Sequence, residues 1–380
     1  MERWIKLPFR VKKAILATGA DIKGAFALAK GDEALLVDGF GDLGDLDNLT
    51  EYERAIKRYG KRLSIMPEVA ACDLHPDYFS TKFAESYQLS AISRQLYKAQ
   101  HHEAHIASAI VDNSITGNVI GIAFDGTGFG FDGNVWGGEF FVGSLKRFKR
   151  AAHFEYMPMP GGEAAVKEPW RMAASYLYHI FGKDFLKLKI DFIKKFKKKC
   201  QAPFSTIKIM IDRDINSPFT SSVGRLFDAV GSIVLCKRFA LKEAELPIEL
   251  EKIAASDCGG SYDFDIKSRD GESVVDASRM IKGIVKDISG GTDKTVIAAK
   301  FHNAMADIIV QTALKLRKRF DIKRIVSSGG VFQNRILTAR TRELLEKNNF
   351  KVYSHLNVPT NDSGIPIGQI AIANARLRCA

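Results

Sequence analysis

Apolar and polar residues follow two rhythms along this chain, and the changes of rhythm mark its elements. Residues 14–20 and 24–30 read as paired strands, with a third strand at 33–37. Residues 48–60 form a helix candidate. The short apolar run 69–73 reads as a buried strand, and 76–86 as another helix. A helix around 101–111 leads to a strand at 119–124. Asp125-Gly126-Thr127-Gly128 follows as a glycine turn, and a further strand runs over 136–142. The strand, glycine turn, strand layout of 15–29 thus recurs at 120–142, although the letters do not repeat. Helices are expected near 163–180, 223–239, 248–255, 278–288 and 295–319. The end alternates again, with strands at 324–327 and 351–354 and helices at 334–347 and 364–376.

This order predicts an α/β protein of mixed sheets covered by helices. At 380 residues the chain exceeds the size of a typical single core, so two lobes are expected. The first is assigned to 1–118, completed by a closing helix over 363–378, and the second to 119–362.

Composition narrows the class only slightly. Hydrophobic residues at 46% and charged residues at 26% suit a soluble globular protein. No apolar run reaches the length of a membrane span, and residues 1–13 lack the apolar stretch of a secretory leader. Cys72, Cys200, Cys236, Cys258 and Cys379 are scattered and include no C-x-x-C pair. That disfavours a zinc ribbon or disulfide framework and points to a reducing cytoplasm; Cys258, before Gly259-Gly260, is a reactive-thiol candidate or a plain loop cysteine.

The net charge of +12 raises the question of nucleic acid. Half of it comes from residues 183–200, where eight lysines face only Asp184 and Asp191. Phe185, Leu188, Phe192 and Phe196 recur at helical spacing between those lysines, which predicts an amphipathic helix with a solvated lysine face. Arginine, the better phosphate fork, is absent from the run, so nucleic acid is not the expected partner.

Candidate chemistry concentrates in His101-His102-Glu103-Ala104-His105. On a helix, His101 and His105 lie one turn apart on one face, which suits two imidazoles on one divalent metal ion. The zinc-protease pattern would need its second histidine at 106, which is Ile106, so Glu103 has no automatic role as a base. An oxygen ligand is needed as well. Asp125 at a strand end and Asp362 in Asn361-Asp362-Ser363-Gly364 are the candidates; the alternative for each is an Asx turn or a helix cap.

Three glycine turns offer backbone N–H groups to an anion: residues 19–24 with Lys23, residues 125–130, and Ser327-Ser328-Gly329-Gly330-Val331, which runs from a strand into a helix. None is a Walker A loop. Two strand–turn–strand loops and a later Gly-Gly helix start form the layout of the actin, hexokinase and heat-shock-chaperone (ASKHA) superfamily, whose two lobes hold a nucleotide between them.

Longer motifs then bear on the matter. Phe124-Asp125-Gly126-Thr127-Gly128-Phe129-Gly130, Asp132-Gly133-Asn134-Val135-Trp136-Gly137-Gly138-Glu139 and Pro158-Met159-Pro160-Gly161-Gly162-Glu163 follow one another along the chain. Glu168-Pro169-Trp170-Arg171, Thr220-Ser221-Ser222-Val223-Gly224-Arg225-Leu226-Phe227-Asp228 and Phe301-His302 come next. Ser328-Gly329-Gly330-Val331-Phe332-Gln333-Asn334 and Asn361-Asp362-Ser363-Gly364 close the series, and Cys72-Asp73-Leu74-His75-Pro76-Asp77-Tyr78 precedes it. With the histidine run, these motifs resemble the HypF family of hydrogenase-maturation factors, in family order over roughly residues 14–375.

The resemblance implies carbamoyl transfer. In that family carbamoyl phosphate and ATP give carbamoyl-adenylate, and the carbamoyl group passes to the C-terminal cysteine of the partner HypE during synthesis of the hydrogenase cyanide ligand. The matching region is the TsaD-like carbamoyltransferase module. Carried over, His101, His105 and Asp362 would hold the metal, iron or zinc, and Asp125 would contact the metal or the carbamoyl group. Gly126, Thr127 and Gly128 would line the site, and the Gly329-Gly330-Val331 turn with Asn334 would seat the adenine nucleotide. Lys23 would neutralise the departing phosphate. His302 and His102 are candidate thiol bases, with packing or hydrogen bonding as the alternative. The acylphosphatase-like, zinc-rich and YrdC-like parts of a full-length HypF have no counterpart in these motifs, so a separate adenylating protein, or domains outside this sequence, would supply carbamoyl-adenylate. Glu243-Ala244-Glu245-Leu246-Pro247 stands where the family has Glu-Gly-Gln and small residues, a departure expected to alter nucleotide packing. Threonylcarbamoyl transfer to tRNA in the manner of TsaD, and a non-catalytic nucleotide-binding scaffold, are the competing readings.

Overall fold

A computed structural model describes residues 1–89, 95–199, 201–256 and 258–377. Cys200, Cys379 and residue 378 of the expected closing helix lie outside them.

Six strands form the first sheet: β1 (Glu2–Lys6), β2 (Ile15–Ala17), β3 (Ala25–Lys30), β4 (Glu33–Asp38), β5 (Val69–Asp73) and β6 (Gln95–Ala99), in the order β1-β4-β3-β2-β5-β6. Strands β4, β3 and β2 pair antiparallel, whereas β2, β5 and β6 pair parallel. Helices α1 (Leu46–Arg62) and α2 (Phe79–Leu89) lie in the connections, and Asp45 caps α1 by accepting from the N–H groups of Asp47 and Asn48. Period-2 alternation splits these strands between two cores. Leu16, Phe26 and Leu28 pack with Tyr52 and Ile56 of α1, while Ile15, Ala17, Ala27 and Ala29 face the other way.

The second sheet repeats that plan. Strands β7 (Val119–Phe129), β8 (Val135–Ser144) and β9 (Arg147–Phe154) are antiparallel. A two-residue pair, β10 (Met157–Pro158) and β11 (Phe219–Thr220), joins β8 from the side. The hairpin β12 (Asp265–Arg269) and β13 (Glu272–Asp276) extends the β9 edge, and β14 (Arg324–Ser328) and β15 (Lys351–Tyr353) add in parallel on the other side of β7. The order β9-β8-β7-β14-β15 thus has the pairing senses of β4-β3-β2-β5-β6. This duplication is the two-lobed actin- and hexokinase-type architecture that the sequence layout predicts.

Helix α3 (His101–Asp112) joins the sheets. The second lobe adds α4 (Ala164–Lys167), α5 (Trp170–Phe181), α6 (Asp191–Lys199), α7 (Gln201–Asp212), α8 (Val223–Leu235), α9 (Glu245–Ile253), α10 (Ser278–Ser289), α11 (Lys294–Phe320) and α12 (Arg335–Lys347) before the closing helix α13 (Ile365–Leu377). Buried residues of α3 and α13 share one apolar cluster with Ile15 and Ala71 of the first sheet and Val119, Ala123 and Val326 of the second. These helices therefore fill the space between the sheets, which explains why α3 is buried on every face from His101 to Val111.

Three local expectations change. The strand from 119 does not stop before Asp125; β7 continues to Phe129 through a register shift between Phe124 and Gly128, a bulge that glycine permits. The helix expected over 163–180 is two helices, because Pro169 cannot donate within a continuous turn. The lysine run opens as a 3-10 turn, Gly182–Lys187, before α6; its Phe185, Phe192 and Phe196 are buried, and Lys194 and Lys195 face solvent. Among the described residues no helix is long and apolar enough to cross a membrane.

Candidate metal and nucleotide site

Gln100 caps α3 by accepting the Glu103 N–H at 2.9 Å, so the helix begins at His101. One turn later comes His105, and both imidazoles are wholly buried. Asp125 from the bulge of β7 and Asp362 from the turn before α13 meet them. His101 Nε2 lies 3.3 Å from Asp125 Oδ2 and 3.8 Å from Asp362 Oδ1; His105 Nε2 lies 3.4 Å from each. Four potential ligand atoms therefore stand within 4.8 Å of one another. Nitrogen–oxygen spacings of 3.3–3.8 Å are those of donors sharing one ion at bond lengths of about 2.0–2.2 Å.

The hydrogen-bond chemistry fits a cation there. Asp73 Oδ2 lies 2.8 Å from His101 Nδ1, and a carboxylate can only accept, so the ring proton sits on Nδ1. His101 Nε2 then turns a lone pair toward the Asp125 oxygen. Two facing acceptors are tolerable only with a proton or a metal ion between them. His105 Nε2 is likewise buried without a hydrogen-bond partner. Burial opposes protonation of His101, yet Asp73, Asp125 and Asp362 outweigh it and hold its pKa well above the ordinary value. Burial pushes the Asp125 carboxyl up, but His101 and His105 more than reverse this and hold it well below the usual range. The cluster is built to hold positive charge.

An outer layer fixes the ligands. Asp73 orients His101, and Ser328 Oγ bridges His105 Nδ1 at 3.2 Å and His355 Nε2 at 2.8 Å. Beyond His355 stands Asp112, which accepts the N–H groups of Leu356, Asn357 and Val358. Burial alone would raise the Asp112 carboxyl, but His355 and these amides lower it to about 2. Sequence reasoning gave none of these four side chains a role at the metal. Asp73 had the signal that singled out Asp125, a carboxylate ending a buried apolar strand. Asp73→Ala is expected to weaken metal binding by about 10- to 100-fold, the usual worth of a carboxylate behind a histidine ligand. Competition against a chelator measures it, and unchanged affinity would show that the Asp73 contact orients nothing.

The glycine segments converge on Asp125. Gly329 takes φ +104°, and a Cβ there would stand 2.2 Å from the Phe124 carbonyl oxygen, so only glycine lets this turn approach β7. The turn delivers the Gly330 N–H to Asp125 Oδ1 at 3.0 Å. Ser222, before α8, sets its hydroxyl 2.8 Å from the Asp125 carbonyl oxygen and 2.6 Å from that of Gly126. Thr127 and Gly128 continue the bulge, with Gly128 paired to Trp136. Val331 lies in the 3-10 turn Gly330–Gln333, and Asn334 caps α12.

The other candidates supply no atom to the cluster, although the His102 ring packs against that of His101. His302 Nδ1 donates to the Ala298 carbonyl at 2.8 Å and Nε2 accepts from Asn334 at 2.9 Å, so both nitrogens are engaged and Nε2 holds Asn334. His102 is wholly buried, with Nδ1 3.2 Å from Gln100 Nε2; burial and then His101 lower its pKa well below the ordinary value. Lys23 pairs across the lobes with Glu243 at 2.8 Å. Leu246 of the divergent 243–247 segment is wholly buried against Gly231 of α8, so its bulk is absorbed between α8 and α9.

Duplicated sheets with a buried His/Asp cluster between them define a two-lobed protein of the actin and hexokinase type that carries a candidate metal centre in its cleft. A family model described as "Carbamoyltransferase, Kae1-like Domain, second subdomain" matches residues 121–369, and one described as "HypF Kae1-like domain" matches residues 10–112. The chain belongs to the HypF carbamoyltransferase family. It is 32% identical to carbamoyltransferase HypF of Synechocystis over 96% of this chain and 48% of that protein. It is 31% identical to a carbamoyltransferase HypF homolog of Cupriavidus necator over 94% of this chain and 91% of that one. A crystal structure of full-length HypF in the phosphate- and nucleotide-bound form superposes with a TM-score of 0.92 at 38% identity, covering 98% of this chain and 48% of that one. HypF of T. kodakarensis superposes at 0.87 and 28% identity, over 99% of this chain and 49% of its own. The chain thus spans about half the length of the Synechocystis relative and of both solved chains, and most of the Cupriavidus homolog.

Proposed function

We propose that this chain transfers the carbamoyl group of carbamoyl-adenylate to the C-terminal cysteine thiol of a HypE-like partner, on the way to the cyanide ligand of nickel–iron hydrogenase. The observation that carries the reading is the meeting of His101, His105, Asp125 and Asp362 where two glycine turns converge, in a chain of the HypF family. Carbamoyl-adenylate would come from a YrdC-like adenylating protein or from domains outside this sequence. The phosphate- and nucleotide-bound state of the solved HypF supports a nucleotide as the carrier.

His101, His105, Asp125 and Asp362 would hold a divalent ion, and two imidazoles with two carboxylates accept iron or zinc. When bound, such an ion supplies Lewis-acid polarisation to a carbonyl that carbamoyl resonance makes a poor electrophile. Asp73 keeps the His101 lone pair turned inward, and the Gly330 N–H keeps Asp125 in place. Backbone amides of the 126–128 segment would stabilise the charge of the departing phosphate, since the Gly329 and Gly330 N–H groups are held by Thr360 and Asp125. Lys23, on the first-lobe turn, adds to them once released from Glu243. His302 holds Asn334 and the start of α12, beside the nucleotide seat.

The test combines metal-loaded protein, carbamoyl-adenylate and a HypE-type protein, and reads the acceptor by mass spectrometry. One carbamoyl group on the C-terminal cysteine is expected. Modification of tRNA adenosine with no thiol product would replace this reading with the TsaD-like one.

A further inference from the structure

Helix α8 docks its first turn on the Asp125 bulge, with Gly224 facing Gly126. Ser222 fixes the junction: its hydroxyl meets the carbonyls of Asp125 and Gly126 and also accepts the Arg225 N–H at 3.1 Å. Arg225 therefore starts one residue past the glycine contact, and its guanidinium lies under Gly126, with Nη2 3.7 Å from where a Cβ on that residue would stand. The side chain is only 8% exposed.

Its hydrogen bonds are not made. Nε and Nη1 are buried without a partner, and Nη2 has only Asp228 Oδ2 at 2.9 Å, an oxygen that itself lacks a hydrogen bond of good geometry. An arginine serving the fold alone would spend its five donors on carbonyls or on a forked carboxylate. A buried guanidinium with open donors is costly, and the cost is relieved when an anion brings oxygens to the fork. The guanidinium stands beside Gly126, which follows Asp125, one of the four cluster ligands. Burial also raises the Asp228 carboxyl to about 6 against the pull of Arg225, so this ion pair does not repay its desolvation.

We propose that Arg225 is a phosphate-binding residue of the cleft, its Nε and Nη1 donors taking oxygens of a phosphoryl group placed beside the Asp125–Gly128 segment. The planar fork matches phosphate geometry, which a lysine at the same place would not. The inference rests on the proposed reading of the cleft as an acyl-nucleotide site, and it adds the residue that would read the phosphate. The shared chemistry is a phosphate monoester or its anhydride, carried by a nucleotide or by a free acyl phosphate.

Full-length chain loaded with metal is titrated calorimetrically with AMP, adenosine and inorganic phosphate, for the wild type, Arg225→Lys, and Arg225→Met combined with Asp228→Asn. The double variant removes both buried charges, and equal metal content certifies an intact cleft. AMP should bind the wild type more tightly than adenosine, and the double variant should lose roughly 10- to 100-fold for AMP with adenosine unchanged, the worth of one or two charge-assisted hydrogen bonds. Arg225→Lys should keep part of the preference. Loss confined to inorganic phosphate would assign the same donors to a free acyl phosphate. Equal loss for AMP and adenosine, unchanged AMP affinity, or a wild type that does not distinguish the two ligands would overturn the assignment. Because no transfer is measured, absent carbamoyl transfer beside an intact AMP preference would sink the proposed function and leave this site standing.

Discussion

Alanine at His101 is expected to leave the purified protein without bound metal and clearly less stable, whereas alanine at Asp362 should remove the metal with a smaller loss of stability. Both substitutions delete one of four converging ligand atoms. They differ in what they strand. Asp73 is fully buried, and its Oδ2 contact is the His101 imidazole at 2.8 Å. Removing that ring leaves the buried Oδ2 without its partner while Oδ1 keeps the His75 N–H, a loss of about 3–5 kcal/mol. Asp362 lies at the rim of the cluster and is 8% exposed, so water can reach what it leaves behind. Elemental analysis beside urea unfolding separates the two effects. Equal and negligible metal in wild type and both variants would end the metal reading, and equal stability of the variants would show that Asp73 does not depend on His101.

The halves of this site differed in how far the chain could announce them. His101 and His105 are legible because one helical turn sets them on one face whatever the rest of the fold does. The carboxylates are not, since each aspartate in a glycine-rich turn has an ordinary capping role open to it. The structure resolves the ambiguity separately for each. Asp125 does both jobs: Oδ1 accepts the Gly330 N–H, while Oδ2 faces the imidazoles. Before α13 the Asx role falls to Asn361, which accepts the Ser363 N–H at 3.1 Å and leaves Asp362 free for the cluster. The outer residues His355 and Asp112 carry no local pattern, because their function exists only where β15 and the end of α3 meet.

The fold divides in the same way. Strand β5 was readable residue for residue, since parallel strands buried on both faces are short continuous apolar runs. Strand β6, Gln-Leu-Tyr-Lys-Ala, and the exposed strand β12, Asp-Ile-Lys-Ser-Arg, both at sheet edges, were not, because polar edge strands lack the alternation on which such reading rests. The bulged extension of β7 was concealed by its own glycines. They look like a turn, yet here they let the strand continue past Asp125 and set that carboxylate over α3.

Gly368→Ala is expected to destabilise the protein by about 1–3 kcal/mol and to weaken metal binding with it, although this exchange inside a helix normally stabilises. The sign reverses because of where α13 crosses α3. A Cβ at Gly368 would stand 1.8 Å from the Ala104 carbonyl oxygen, 2.6 Å from its carbon and 2.9 Å from its Cα. All three atoms are backbone of a buried helix, so no flexible side chain can yield, and the helices must separate. Ala104 lies between His101 and His105 on α3, so the shift that relieves the clash moves both imidazoles away from Asp125 and from Asp362, which sits at the start of α13. Urea unfolding and a metal titration on the same preparation should therefore fall together. Lost stability with unchanged metal affinity would mean that the lobes part without disturbing the cluster, and a gain in stability would mean that α3 and α13 are not in backbone contact.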